Sequence, residues 1–151
     1  MSVTVSVPGE ASEELLSGIN RLLPQLSTSA PPLTLADLEE LVSNTALTFF
    51  VAYDGDVVVG TLTLVIFPIP TGLRAWIEDV VVDEAARGLG VGIALTNAAT
   101  DEAQLRGVRS VDLTSRPSRE AANALYQKLG FKLRETNVYR FSVEPPGDDS
   151  Q

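Results

Sequence analysis

The 151-residue chain contains no cysteine and no histidine, and these two absences restrict its chemistry more than any other feature of its composition. They exclude a Ser-His-Asp triad, a cysteine nucleophile and a metal site built from thiolate or imidazole ligands. They also exclude a disulfide. Because no basic stretch followed by an apolar one opens the sequence, we expect a cytoplasmic protein.

Basic residues are also few, since 11 Lys plus Arg stand against 20 Asp plus Glu for a net charge of −9. This charge disfavours nucleic acid or an anionic membrane as the partner, and no apolar run suggests a transmembrane segment. It favours a cationic substrate such as an amine, although an acidic surface can also serve solubility alone. The length suits a single domain, which we place at residues 1–143, with a flexible acidic tail over 144–151.

The most informative pattern present is a turn with three glycines. It consists of Arg87, Gly88, Leu89, Gly90, Val91 and Gly92, and it lies between an apolar strand and an amphipathic helix. The first N–H groups of a helix have no intrahelical acceptor and carry partial positive charge, so a turn of this kind can bind a phosphate. The arginine can add a charge-assisted hydrogen bond. Glycine turns between strand and helix also occur without a ligand, so the neighbouring sequence must decide.

Two common phosphate-binding loops do not fit this turn. The nucleoside-triphosphate loop needs Lys and then Ser or Thr after its last glycine, whereas Ile93 follows Gly92 here. The dinucleotide fingerprint needs a third glycine three residues after the second, and Ile93 or Leu95 stands there in the two registers. The pattern that remains is Arg-x-x-Gly-x-Gly, preceded by the strand 76–82.

This pattern resembles the acyl-coenzyme A motif of the GNAT superfamily of N-acetyltransferases, which reads Gln or Arg, x, x, Gly, x, Gly or Ala. Residues 123–131, Asn-Ala-Leu-Tyr-Gln-Lys-Leu-Gly-Phe, resemble the second signature of that family. The resemblance covers about residues 74–141. It implies an α+β fold with a mixed, mostly antiparallel, splayed sheet flanked by about four helices.

The spacing of apolar residues predicts elements in a compatible order. Alternation predicts an edge strand over 2–7, helical spacing predicts a helix over 10–23 that ends before Pro24, and Thr34 with Asp37 caps the next helix. Further along, the patterns predict a hairpin of 45–53 with 56–67 around Asp54-Gly55, and then a strand over 74–82. A helix over 90–105 leads to a parallel strand over 108–114. A helix over 120–129 and closing strands over 131–143, with a turn at 135–137, complete the prediction.

The resemblance further implies that acetyl-CoA is the acetyl donor. Because the chain has neither His nor Cys, we expect no metal. The pantetheine arm would lie in a gap between the strand 78–82 and the strand 111–114, and the diphosphate would bind the glycine turn. The residues so implied to bind the donor are Val80, Val81, Val82, Arg87, Gly88, Leu89, Gly90, Val91, Gly92 and Asn123. For the valines this role rests on the backbone alone, and Asn123 has the alternative of capping or packing.

Two residues are candidates for proton transfer. By the resemblance, Tyr126 protonates or hydrogen-bonds the departing thiolate, the alternative being a core tyrosine with a satisfied hydroxyl. Strand alternation predicts Glu78 on the same face as Val80 and Val82, where it is the candidate general base, with Asp79 on the other face. The alternatives for Glu78 are a solvated surface carboxylate, an ion-pair partner of a nearby arginine, or a water chain that replaces one dedicated base.

Two functions remain open at this stage. The first is an enzyme that moves the acetyl group of acetyl-CoA directly to a primary amine of a small molecule or peptide through a ternary complex, because no cysteine can carry the acetyl group. The second is a non-catalytic acyl-CoA-binding sensor or interaction module. A homodimer paired through the C-terminal strands is compatible with the resemblance, and no motif indicates the acceptor.

Overall fold

The structure is a computed structural model that describes residues 2–143, so the acidic tail predicted over 144–151 lies outside the described residues. In chain order the strands and helices are β1 (Val3–Ser6), α1 (Glu13–Leu26), α2 (Leu35–Ser43), β2 (Leu47–Asp54), β3 (Val57–Ile69), β4 (Gly72–Val82), a short 3-10 helix (Glu84–Ala86), α3 (Val91–Leu105), β5 (Val111–Asp112) and α4 (Glu120–Lys128). Within residues 2–143, no helix is long and apolar enough to cross a bilayer.

The five strands form one sheet in sequence order, β1-β2-β3-β4-β5. The first four pair antiparallel, and β5 pairs parallel to β4 after the α3 crossover. The predicted hairpin between β2 and β3 is confirmed, with Gly55 in the left-handed region at φ 62°. The mixed, mostly antiparallel sheet and the four helices confirm the predicted fold class.

Two apolar clusters cover the two faces of the sheet. On one face α3 packs through Leu95 and Ala99 against side chains that include Leu62 and Leu64 of β3. On the other face α1 and α2 contribute residues such as Leu22 and Leu38, which are almost fully buried. We call these the α3 face and the α1/α2 face. The predicted capping box of α2 is present, because Asp37 N–H donates to Thr34 Oγ1 and Thr34 N–H donates to Asp37 Oδ2.

Two elements were predicted to end at a proline, and both continue past it in the structure. Helix α1 continues through Pro24 to Leu26, and strand β3 continues through Pro68 to Ile69. In both cases the proline lies near the end of its element, where the missing N–H removes one hydrogen bond and the rest of the pattern is kept. For α1, the N–H of Ser27 still closes the last turn by donating to the carbonyl of Leu23 at 3.0 Å. The extra residues bring Gln25 within hydrogen-bond distance of Asp83 and Glu84, which follow β4.

The closing strands predicted over 131–143 are absent from the structure. Strand β5 is also shorter than predicted, with only Val111–Asp112 paired. A two-residue strand offers a short edge for further pairing, which is the physical reason that no hairpin adds to it. Several large apolar side chains of the C-terminal segment are therefore exposed, namely Leu133, Val138, Tyr139, Phe141 and Val143.

Candidate active site

A cleft of about 1050 Å³ opens where β4 and β5 separate. The two strands pair at Ala75 with Val111 and at Trp76 with Asp112, and no pairing follows. The gap predicted between these strands is thus present. Its walls are the C-terminal half of β4, the residues that follow β5, the glycine turn with the start of α3, the start of α4, and the last turn of α1.

A bulge shapes the β4 wall of this cleft. Thr61 of β3 pairs with Val81, and Thr63 pairs with Glu78, so β4 carries one residue more than β3 between these pairs. The bulge contains Asp79, which at φ 50° is the non-glycine residue with positive φ in the described part of the chain. Left-handed backbone is costly for a residue with a side chain, although Asp tolerates it better than most.

The bulge breaks the alternation on which the position of Glu78 was predicted. Val80 packs with the α3-face cluster, whereas Val81 belongs to the α1/α2-face cluster. Because cross-strand partners share a face, and Thr61 and Thr63 are two residues apart, Glu78 lies on the face of Val81. The prediction that Glu78 shares a face with Val80 and Val82 is therefore wrong.

The two adjacent carboxyl groups consequently occupy different positions. Asp79 lines the cleft, whereas Glu78 is half-buried on the α1/α2 face and is not among the lining residues. Burial raises the pKa of Glu78, the neighbouring charge of Asp79 raises it further, and Arg140 opposes both. Partial desolvation by the surrounding protein also raises the pKa of Asp79. Because its pKa is raised, each carboxylate is a stronger base than a fully solvated one.

The three glycines of the turn have two different roles. Gly88 and Gly90 have positive φ, 87° and 79°, which disfavours any side chain there. A Cβ built on either of them meets no atom within 4 Å, so both sites are open. Gly92 instead permits close packing, because its Cβ would lie 3.3 Å from Leu125 Cδ2 of α4.

Not every amide of the turn is available to a ligand. The N–H of Leu89 donates to the carbonyl of Ala86 at 3.3 Å, and that of Arg87 donates to the carbonyl of Glu84 at 3.4 Å. Leu89 does not line the cleft. At the start of α3, Gly90 provides no side-chain cap, so the first-turn amides of Val91 and Gly92 lack an intrahelical acceptor. These amides, with the Arg87 side chain in the cleft wall, fit an anionic diphosphate.

Tyr126 belongs to α4. Its side chain lines another wall of the cleft, and the residue is 8% exposed. Its ring contacts Phe131 edge-to-face, with centroids 5.8 Å apart, and the glycine that ends α4 lets the chain fold back for this contact. Burial raises the pKa of Tyr126, and Arg119 opposes that shift. The phenol therefore carries its proton at neutral pH and can donate it.

Asn123 has a position different from that of Tyr126, although both lie on α4. Its Nδ2 donates to the carbonyl oxygens of Arg116 and Arg119, both at 2.8 Å. It does not line the cleft, whereas Arg119 does. These contacts agree with the alternative in which Asn123 caps or packs.

The sequence patterns missed four residues that line this site or are connected to it through hydrogen bonds. Asp79 was not predicted at the cleft because no local signal revealed the bulge. The other three are Asp83, which follows β4, and Arg21 and Gln25 of α1, each of which donates to Asp83. Gln25 lies beyond Pro24, where the helix was predicted to have ended. Among residues 2–143, no group of three or more carboxylates could hold a metal ion.

The molecule belongs to the α+β class, with a splayed mixed sheet and a glycine turn after its fourth strand. The model of the acetyltransferase (GNAT) family matches residues 16–131, so the chain belongs to this family. Acyl transfer is the general chemistry of the family.

Individual relatives agree with this assignment. The chain is 33% identical over 120 residues to L-2,4-diaminobutyric acid acetyltransferase of Marinococcus halophilus, covering 68% of this chain and 69% of the relative. It is similar to an acetyltransferase structure from Trypanosoma brucei, with 30% identity, a TM-score of 0.75 and coverage of 93% and 100%. A CoA complex of aminoglycoside N-acetyltransferase AAC(6')-Iy shares the fold at 21% identity, with a TM-score of 0.77 and coverage of 93% and 95%. The chain spans about half the length or less of several other curated relatives.

Proposed function

We propose that the chain is an acetyl-CoA-dependent N-acetyltransferase that moves the acetyl group directly to a primary amine of a small molecule or peptide in a ternary complex. One observation carries the proposal: the glycine turn, the buried phenol of Tyr126 and the carboxyl group of Asp79 line a single cleft. The Marinococcus relative is named for an acceptor that carries amines, diaminobutyric acid, which supports an amine here as well. The chain has no cysteine for an acetyl-enzyme intermediate, which supports direct transfer.

In this proposal the backbone and the glycine turn hold the donor. Val80 and Val82 present main-chain groups at the open edge of β4, Val81 anchors the strand to the opposite core, and the free amides of the turn bind the diphosphate. Arg87 adds a charge-assisted hydrogen bond from the cleft wall. Holding the thioester carbonyl beside the amine supplies most of the effective concentration that the reaction needs.

Tyr126 and a carboxylate perform the proton transfers. As the amine nitrogen forms its bond to the carbonyl carbon, the carboxylate accepts a proton from that nitrogen. As the C–S bond breaks, Tyr126 donates its phenolic proton to the departing thiolate sulfur. Glu78 serves an amine that approaches from the α1/α2 face, and Asp79 serves one that lies in the cleft.

The first test asks whether the chain is a catalyst. Acetyl-CoA is mixed with diamines, aminoglycosides, amino acids and peptides, and free thiol is measured with a thiol reagent. We expect thiol release with at least one amine, and we expect Tyr126→Phe to lower kcat by about 10²- to 10⁴-fold while CoA affinity stays within about twofold. The matched control is Tyr139→Phe, since Tyr139 is 88% exposed and should tolerate the change.

The second function, an acyl-CoA-binding module, makes the opposite prediction for the same assay. The glycine turn and the gap suffice for binding, and neither requires a titratable side chain. Tight CoA binding without thiol release from any amine would support the module and contradict the enzyme. Full activity of Tyr126→Phe would instead remove the phenol from the mechanism.

The choice between the two carboxylates is tested by Glu78→Gln and Asp79→Asn. Asparagine tolerates the left-handed backbone at position 79, so Asp79→Asn changes the charge and leaves the bulge intact. We propose Glu78 as the base for an acceptor on the α1/α2 face. A larger loss of kcat in Asp79→Asn than in Glu78→Gln would transfer that role to Asp79.

We further propose that the C-terminal segment 132–143 mediates a homodimer in the cytoplasm. The segment carries exposed apolar side chains that include Phe141, at 83%, and β5 is an edge strand of the sheet. Light scattering should report a dimer for the wild type and a monomer for Phe141→Asp. The control Leu105→Asp changes another exposed leucine, at 83%, and should leave the mass unchanged.

A further inference from the structure

The last turn of α1 is bonded to the segment that leads into the glycine turn, through three residues that have no part in the proposed chemistry. Arg21 Nη1 donates to Asp83 Oδ2 at 2.7 Å. Gln25, one helical turn later, donates from Nε2 to Asp83 Oδ1 at 3.3 Å. We call Arg21, Gln25 and Asp83 the α1 clamp.

Asp83 is the centre of this clamp. It directly follows β4, its side chain is 9% exposed, and its carboxylate also accepts from the N–H of Ala85 at 3.1 Å, which caps the short 3-10 helix. Hydrogen bonding to Arg21 lowers the pKa of Asp83, and the Ala85 amide lowers it further. The carboxylate is therefore ionised and fully engaged at neutral pH.

The other two members extend the clamp in both directions. Arg21 Nη2 donates to the carbonyl of Val58, which fixes the guanidinium to β3. Gln25 Oε1 accepts from the N–H of Glu84 at 3.0 Å, so the same amide side chain bonds to two successive residues of the segment. The segment continues through Glu84 and Arg87 into the turn, and Gln25 itself lines the cleft.

We propose that Arg21 and Gln25 are positioning residues that hold residues 84–90 in the shape that binds a diphosphate, so that α1 sets the affinity of the chain for CoA. The proposal rests on the proposed function in taking CoA as the ligand. A turn with two glycines at positive φ loses much conformational entropy when it is ordered. Bonds that order its entrance before the ligand arrives reduce the cost of binding.

The clamp also connects the two faces of the sheet. Helix α1 packs on the α1/α2 face, where Glu78 lies, whereas the turn belongs to the cleft between β4 and α4.

The experiment compares Gln25→Leu and Arg21→Met with the wild type. Gln25 is exposed, so Gln25→Leu should fold normally and remove only the bonds to Asp83 and Glu84. We expect the Kd of CoA, by calorimetry, and the KM of acetyl-CoA to rise about 3- to 30-fold, with kcat changed less than about twofold. Arg21→Lys should recover part of the loss in Arg21→Met.

The control is Arg109→Met. Arg109 also donates to a main-chain carbonyl, that of Thr71 at 2.6 Å, but it does so at the other end of β4. Losing this arginine removes one charge and one backbone contact far from the turn. We expect the Kd of CoA to stay within about twofold of the wild type, as it should for a side chain outside the clamp.

A second measurement separates this proposal from the proposed function. Amide hydrogen exchange without ligand should be faster at residues 84–90 in Gln25→Leu than in the wild type, and unchanged in Arg109→Met. Faster exchange in Gln25→Leu would support the clamp even if the wild type failed to bind CoA. Failure of the wild type to bind CoA would contradict only the proposed function. Unchanged exchange in Gln25→Leu, or a lowered kcat with CoA affinity retained, would overturn the clamp.

Discussion

Gly60 of β3 lies where the sheet and the start of α3 come closest, and Gly60→Ala tests that contact. A Cβ at this position would lie 2.8 Å from Val91 Cγ1, 3.0 Å from the carbonyl oxygen of Val81 and 3.1 Å from Leu95 Cδ1. The side chains can shift, but the carbonyl belongs to the backbone of β4. The substitution therefore forces β4 and the first turn of α3 apart, at the entrance to the cleft.

The expected cost follows from two opposing effects. Overpacking a well-packed core costs about 1–3 kcal/mol. Replacing glycine by alanine restricts the unfolded chain and returns about 0.4–1 kcal/mol. The net destabilisation is about 1–2 kcal/mol, which for a chain of this size lowers Tm by about 2–8 °C.

Thermal unfolding followed by circular dichroism measures this change, and the control is Gly9→Ala. A Cβ at Gly9 meets no atom within 4 Å, so that variant should be as stable as the wild type or slightly more stable. Because Val91 begins α3, Gly60→Ala should also weaken CoA binding. A Gly60→Ala protein as stable as Gly9→Ala would refute the close approach of β3, β4 and α3.

Three further outcomes are expected. Gly90→Ala should cost about 1–2 kcal/mol, because position 90 has positive φ, and the protein should bind CoA more weakly in calorimetry; unchanged affinity would contradict the role of the turn. The pKa values of Glu78 and Asp79 are raised, so kcat/KM should increase with pH through a range above the ordinary carboxyl pKa near 4. The variant that lacks the base should not show this increase. The folded-state pKa of Asp83 is lowered, so its contribution to stability is present above the unfolded pKa near 3.9 and is lost as pH falls through the lower folded value. Acid unfolding below pH 4 should therefore depend less on pH in Asp83→Asn, and an unchanged slope would remove Asp83 from the acid response.

Much of the fold follows from short-range signals. The capping box at Thr34, the hairpin at Asp54-Gly55 and the strand, glycine turn and helix around Gly90 are all present as predicted. Each depends on the conformational preference of one or two residues, which operates in the sequence neighbourhood and requires no distant partner.

The errors arose where a distant partner decides. Residues 131–143 have the alternation of strands, but a strand forms only against an edge, and β5 provides two paired residues. Pro24 is a helix breaker by local rules, yet the last turn of α1 is kept, with Gln25 bonded to Asp83 and Glu84.

The sequence by itself determined the family, the order of the elements from β1 to α4 and the glycine turn before α3, because these depend on residue type and spacing along the chain. Only the tertiary structure decided which carboxylate enters the cleft. One extra residue in β4 opposite Leu62 moves Asp79 into the cleft and leaves Glu78 on the α1/α2 face. A bulge is a mismatch between two strands, so neither strand encodes it alone. The same holds for the α1 clamp, whose members Arg21 and Asp83 are 62 residues apart.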